Sequence, residues 1–89
     1  MLKITKIQES GNDVLLKLEG KIMAQWAALL DGECRSFLRQ KKVVYLDCSH
    51  VDFIDERGVE VVKNFPSTQV TLMSAPGFVT ELLEIGGQS

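Results

Sequence analysis

The densest group of reactive side-chain types in this chain is the run Asp47-Cys48-Ser49-His50-Val51-Asp52-Phe53-Ile54-Asp55-Glu56-Arg57-Gly58. It carries four carboxylates (Asp47, Asp52, Asp55, Glu56), the only histidine, and one hydroxyl residue, Ser49. Clustered carboxylate oxygens are the ligand chemistry of a magnesium-dependent phosphoacceptor pocket. Such a pocket draws carboxylates from more than one strand and adds a nearby lysine, which a single segment does not supply. The plainer reading is that Asp55 and Ser49 cap backbone N–H groups, that Asp52 is solvated, and that His50 is a loop side chain in water. No Ser–His or Cys–His pairing is supported, and GxGxxG, HExxH, GxSxG and phosphate-loop motifs are absent. No catalytic residue, metal site or cofactor is expected, and the chain reads as a binding protein, not an enzyme.

The elements around this run decide where it sits. Val43-Val44-Tyr45-Leu46-Asp47 is a continuous apolar run ending in a carboxylate, read as a central strand buried on both faces. Residues 55–63 read as a short helix with Val59 and Val62 inward, Asp55 as its cap and Pro66 barring its continuation. Residues 48–58 then form a loop from a strand's carboxyl end to a helix N-terminus, the ligand side of an open α/β sheet.

Upstream, residues 2–8 and 14–19 flank the turn cluster Ser10-Gly11-Asn12-Asp13 and read as an antiparallel hairpin. Val14, Leu16 and Leu18 share one face, and Gly20 ends the second strand. Residues 23–40 have the helical period, with Trp26, Leu29, Leu30, Cys34, Phe37 and Leu38 on one core-facing stripe. Asp31 and Arg35 sit four apart on the wet face, and Gly32 costs roughly 1 kcal/mol against alanine. Val70-Thr71-Leu72-Met73 reads as another buried strand. Ser74-Ala75-Pro76-Gly77 opens a last helix, with Phe78, Val79, Leu82 and Ile85 inward, a stop at Gly86 and a frayed tail beyond. The order is ββαβαβα. Helices between the last three strands imply right-handed crossovers and a mainly parallel sheet, with the hairpin adding an antiparallel edge.

The 89 residues are expected to form one domain, 1–89. An apolar fraction of 45% and a charged fraction of 25% are those of an ordinary globular protein. Ten basic against twelve acidic residues give a net charge of −2, without the basic stripe of a nucleic-acid binder. Lys3 with Lys6, and Arg39 with Lys41 and Lys42, read as solvated element ends. Cys34 and Cys48 form no CxxC pair and no zinc spacing. They read as small buried hydrophobes, with a disulfide only if the fold brings them together. The start, Met1-Leu2-Lys3-Ile4-Thr5, has no signal-peptide apolar core. No apolar run approaches the ~20 residues of a membrane span, so a cytoplasmic location is expected.

Three stretches resemble the STAS family, the domain shared by sulfate transporters and bacterial anti-sigma factor antagonists. Leu18-Glu19-Gly20-Lys21-Ile22 is similar to the family's strand leading into its first helix. VVYLDCSHVDFIDERG, from Val43 to Gly58, resembles the pattern V-x-L-D-x-S-x-V, followed by x, an aromatic, isoleucine or methionine, and then D-S-S/T-G. Residues 70–83 resemble the terminal strand, turn and helix. The resemblance implies a STAS-like mixed, mainly parallel sheet of four or five strands with helices packed on it. Asp47, Ser49, Asp55 and Gly58 match. Glu56 stands where switchable members carry the serine that a kinase-type anti-sigma factor phosphorylates, and Arg57 follows it. Met23 replaces a further acidic residue, and the sequence ends soon after the third helix, where many relatives continue.

A phosphoserine adds about −1.5 to −2 charges, whereas Glu56 supplies one fixed charge. It is either a permanent phosphate mimic or a favourable first-turn residue worth ~0.3–1 kcal/mol to the helix dipole. The resemblance implies a protein-interaction module in bacterial regulation, with its switch lost and its contact surface at Ser49, Asp55, Glu56, Arg57, Gly58 and Glu60. The partner would be an anti-sigma factor-like kinase or another regulatory protein. The alternative is a soluble STAS accessory subunit of a membrane complex of the phospholipid-transport ATPase type. A third reading, a small-ligand sensor for nucleotides or anions, is opposed by the acidity of the 48–58 segment, where only Arg57 and His50 offset the carboxylates.

Overall fold

In the computed structural model the described residues are 1–86. The elements are β1 (Leu2–Glu9), β2 (Asp13–Ile22), α1 (Ala24–Arg39), β3 (Val43–Ile54), α2 (Glu56–Asn64), β4 (Val70–Met73) and α3 (Gly77–Gly86). α3 includes Gly86, the position expected for its stop; the Ile85 side chain and the tail, residues 87–89, fall outside what is described.

The strands form one sheet in the order β1-β2-β3-β4. β1 pairs antiparallel with β2, which pairs parallel with β3, and β3 pairs parallel with β4. The expected ββαβαβα order and mixed sheet are therefore present, with four strands.

One expectation fails for a topological reason. β2, β3 and β4 step across the sheet in one direction, so right-handed crossovers put both connecting helices on the same face. That face holds the core: Val14, Leu16 and Leu18 of β2, Val44, Leu46 and Cys48 of β3, and Ala27, Leu30 and Cys34 of α1 are all buried. The alternate residues Leu15, Val43 and Tyr45 are only half-buried. The strand at 43–47 is thus covered on one face, not two. β4 is an edge strand, with Thr71 and Met73 exposed.

The helical stripes are shifted in the same way. Ala27 takes the core position in α1 while Leu29 is 44% exposed, and Trp26 and Phe37 pack half-buried against the core. In α3 Val79 is buried, while Phe78 and Leu82 are exposed. Arg35 is not simply on a wet face. Its Nε lies 3.2 Å from the Asp31 carboxylate, its terminal nitrogen donates to the Asn64 carbonyl at the end of α2, and its guanidinium stacks on Phe65. Cys34 and Cys48 are free and buried, and burial pushes their thiols up to about 12 and about 11. Neither is a thiolate at neutral pH.

Candidate functional site

The segment read as a loop over 48–58 is mostly strand. β3 continues to Ile54, and His50 pairs with Glu19 inside the ladder. Two β-bulges explain the misreading. Lys17 to Glu19 on β2 is matched by Asp47 to His50 on β3, and Gly20 to Lys21 by Val51 to Phe53, so each step adds a residue to β3. The buried positions accordingly move from 44, 46 and 48 to 51 and 54. The period of two disappears from the sequence although the strand does not.

β2 is also longer than expected. It runs through Gly20 to Ile22 instead of ending at the glycine. Gly20 has φ +107°, and a Cβ there would strike the Met1 carbonyl oxygen. The Lys21 N–H donates to that same carbonyl at 2.8 Å. The longer β2 and β3 carry Lys21 and Phe53 side by side at the sheet end.

Asp55 is the junction of this corner. It is the N-cap of α2, with Oδ1 accepting from the Gly58 N–H at 2.7 Å. Its Oδ2 accepts from the Ala24 N–H, at the start of α1, at 3.0 Å. Met23 supplies no side-chain cap to α1, and Ala24 has φ +48°, in the left-handed region. One carboxylate therefore holds the starts of two helices. The Gly58 hydrogen bond, helped by the one from Ala24, keeps the Asp55 carboxyl below the usual carboxylate range against the opposing effect of burial. The capping role expected for Asp55 is present; the second bond was not legible, because it depends on a residue 31 positions away.

Gly58 is buried in the first turn of α2. A Cβ there would strike the Ile22 carbonyl oxygen and lie 2.7 Å from Ile54 Cγ1. The glycine lets the helix press onto the ends of β2 and β3, which carries Glu56 and Arg57 outward. Glu56 is the first residue of α2, and Glu56, Arg57 and Glu60 are exposed. Glu56, Glu60 and Lys63 border a shallow groove along α2.

Ser49 stands apart from this group. Its hydroxyl lies 3.0 Å from His50 Nδ1 and caps no helix, while its own N–H donates to Asp47 Oδ1 at 3.0 Å. That bond and a side-chain bond with Ser49 hold the Asp47 carboxyl low. Asp52, a bulge residue expected to be free in solvent, pairs with Lys21 at 3.1 Å. The structure thus brings Asp55, Glu56, Arg57, Gly58 and Glu60 onto one corner and leaves Ser49 up the strand. Asp47, Asp52 and Asp55 bond to different partners, and among the described residues no group of three metal-ligating side chains converges.

Sequence reasoning missed Phe53 as a surface residue. It is 43% exposed, with the Lys21 ammonium 5.9 Å from its ring centre. Its exposure follows from the second bulge, which the sequence signals only as a break in alternation.

A family model described as STAS domain matches residues 5–88. Among solved structures, the chain is similar to the anti-sigma factor antagonist SpoIIAA in its unphosphorylated form. The TM-score is 0.57 at 12% identity, covering 98% of this chain and 100% of that one. That likeness bears on the fold, an α/β arrangement of a mixed four-stranded sheet and three helices in this chain. A search of curated proteins finds no significant match.

Proposed function

The chain belongs to the STAS domain family, and from that premise we propose that it is a protein-interaction module of the anti-sigma factor antagonist kind, acting in the bacterial cytoplasm as one STAS-like unit without a phosphoswitch. It works by binding, not catalysis. The observation that carries this reading is the corner at the start of α2. There, Asp55 spends both carboxylate oxygens on backbone N–H groups, and the charges of Glu56 and Arg57 are left exposed. A part-buried carboxylate with both oxygens bonded, beneath exposed charges, is suited to a docking surface. Phe53 at the neighbouring strand end supplies an aromatic of the type that anchors interfaces.

Glu56 places a permanent negative charge at the N-terminal turn where, by the resemblance, switchable members of the family carry the phosphorylated serine. The helix dipole stabilises that charge, and a kinase-type partner has no hydroxyl to modify at this position. Incubation with a kinase-type anti-sigma factor and ATP, followed by mass spectrometry, is expected to leave residues 48–58 unmodified. Phosphate on Ser49 would contradict the loss of the switch. Glu56→Ser restores a hydroxyl at the helix start and should become the acceptor. Capture of a membrane-transport ATPase from cells would favour the accessory-subunit reading instead.

A further inference from the structure

The sheet has a second face that no described element covers. Its rows follow from the register. Gln8, Leu15, Tyr45 and Thr71 lie in line across the four strands. On one side of this row stands Asp13, paired with Val43; on the other stands Lys17, paired with Asp47, whose neighbour on β4 is Met73. Leu15, Val43 and Tyr45 are half-buried, and Met73 is 41% exposed. Gln8, Asp13, Leu15, Tyr45 and Met73 enclose a shallow hollow of about 300 Å³.

We propose that this bare face is a self-association surface on which two copies of the chain stack as a weak, reversible two-fold dimer. The charge pattern selects a second copy as the occupant. A two-fold axis along the Leu15–Tyr45 row sets each residue of that row against its own counterpart. Because Asp13 and Lys17 lie two residues to either side of Leu15, the same axis sets Asp13 of each copy opposite Lys17 of the other. The contact is isologous, with both Asp13–Lys17 pairs formed by one operation; the same operation sets Asp47, the β3 neighbour of Lys17, opposite Val43. Lys17 already lies 3.2 Å from Glu19 on its own strand, and with its side chain 31% exposed it is within reach of a second carboxylate.

The area sets the strength. Four strands span ~19 Å, and the rows on either side of the axis about 20 Å. That gives roughly 400 Å² per copy, about half that of a standard stable interface, which corresponds to a weak, transient association. Lys21 and Phe53 lie at the far end of β2 and β3 from Asp13 and Val43. The overlap leaves that end free, so each dimer offers two α2 corners pointing apart and binds a repeated partner bivalently. The inference is independent of which partner occupies that corner.

Sedimentation velocity on the full chain over a concentration series tests it. The wild type is expected to show a monomer–dimer equilibrium in the micromolar-to-millimolar range, about −8 to −4 kcal/mol. Tyr45→Arg should weaken it about tenfold or more, with an unchanged circular dichroism spectrum. Asp13→Lys and Lys17→Asp should each be monomeric alone, because each sets like charges against one another. Mixed in equal amounts they should form a heterodimer, since each supplies the charge the other lost. Asp13 also accepts a bond from the Ser10 hydroxyl in the hairpin turn, so Tyr45→Arg keeps the test independent of that turn. A wild type monomeric throughout the series overturns the proposal, as does a dimer indifferent to Tyr45→Arg or a failure of the two charge variants to pair.

Discussion

β3 is one strand with two characters. From Val43 to Cys48 it alternates regularly, with Val44, Leu46 and Cys48 buried under the helices. From Ser49 to Ile54 it carries two extra residues, turns Phe53 to the surface and delivers Asp55 to the α2 corner. The first half is continuous ladder and core. The second half gives up regular pairing to aim particular side chains, which is where bulges are favoured. On the proposed reading, the comparison separates stability from recognition along a single strand. Substitutions in the first half should therefore move melting temperature, and those in the second should increasingly move affinity.

The largest effect should come from the first half. Leu46 is 0% exposed, and Leu46→Ala is expected to cost ~2–5 kcal/mol through lost burial and the cavity left behind. Chemical denaturation checks this. A cost near that of a surface site would remove the distinction between the halves.

Gly58→Val comes next. The added carbons have no room between the Ile22 carbonyl and Ile54, and overpacking of this kind costs ~1–3 kcal/mol. If a crystal structure of the variant showed α2 unmoved, the close approach would not be what the glycine provides.

Asp55→Ala should follow at ~0.5–2 kcal/mol for the lost cap, with the Ala24 N–H released as well. Hydrogen exchange should quicken at the starts of both α1 and α2. Exchange confined to α2 would show that the bond across to Ala24 carries nothing. The pH dependence has a definite sign. Because the folded Asp55 carboxyl titrates below its unfolded value, its contribution is fully present above the unfolded pKa, about 3.9. It is lost as pH falls through the folded value. Asp55→Asn should therefore lose less stability than the wild type on acidification below about pH 4, and parallel acid curves would refute the assignment.

The smallest effect on stability should be that of Phe53→Ala, within about 0.5 kcal/mol as at surface sites generally, although the aromatic lies under Lys21. Its effect should appear in partner affinity. A large fall in melting temperature would place Phe53 in the fold rather than on the docking surface.

The same division governs what could be read from the sequence. The first half of β3, the hairpin and the helices were legible because apolar residues repeat at the periods of strand and helix. The cap at Asp55 was legible because it is local. The second half of β3 was not, since bulges erase alternation, and Ser49-His50-Val51-Asp52 has the composition of a loop. The bare face was also missed: Val43-Val44-Tyr45-Leu46 is apolar on both sides, and only the direction of strand order decides which side helices cover. The corner itself was half visible. Five of the six expected residues converge, and Ser49 does not, because the bulge beside it turns its hydroxyl to His50.

The central claim is that the charges at the start of α2 dock a protein partner. Calorimetric titration of that partner with the wild type and with Arg57→Glu tests it most directly. Arg57 is exposed, and its replacement leaves the backbone bonds of Asp55 to Gly58 and Ala24 in place. The account requires affinity to fall about tenfold, roughly 1.4 kcal/mol, while the melting temperature holds. Equal affinity for the two proteins would show that the partner binds elsewhere and would contradict the account.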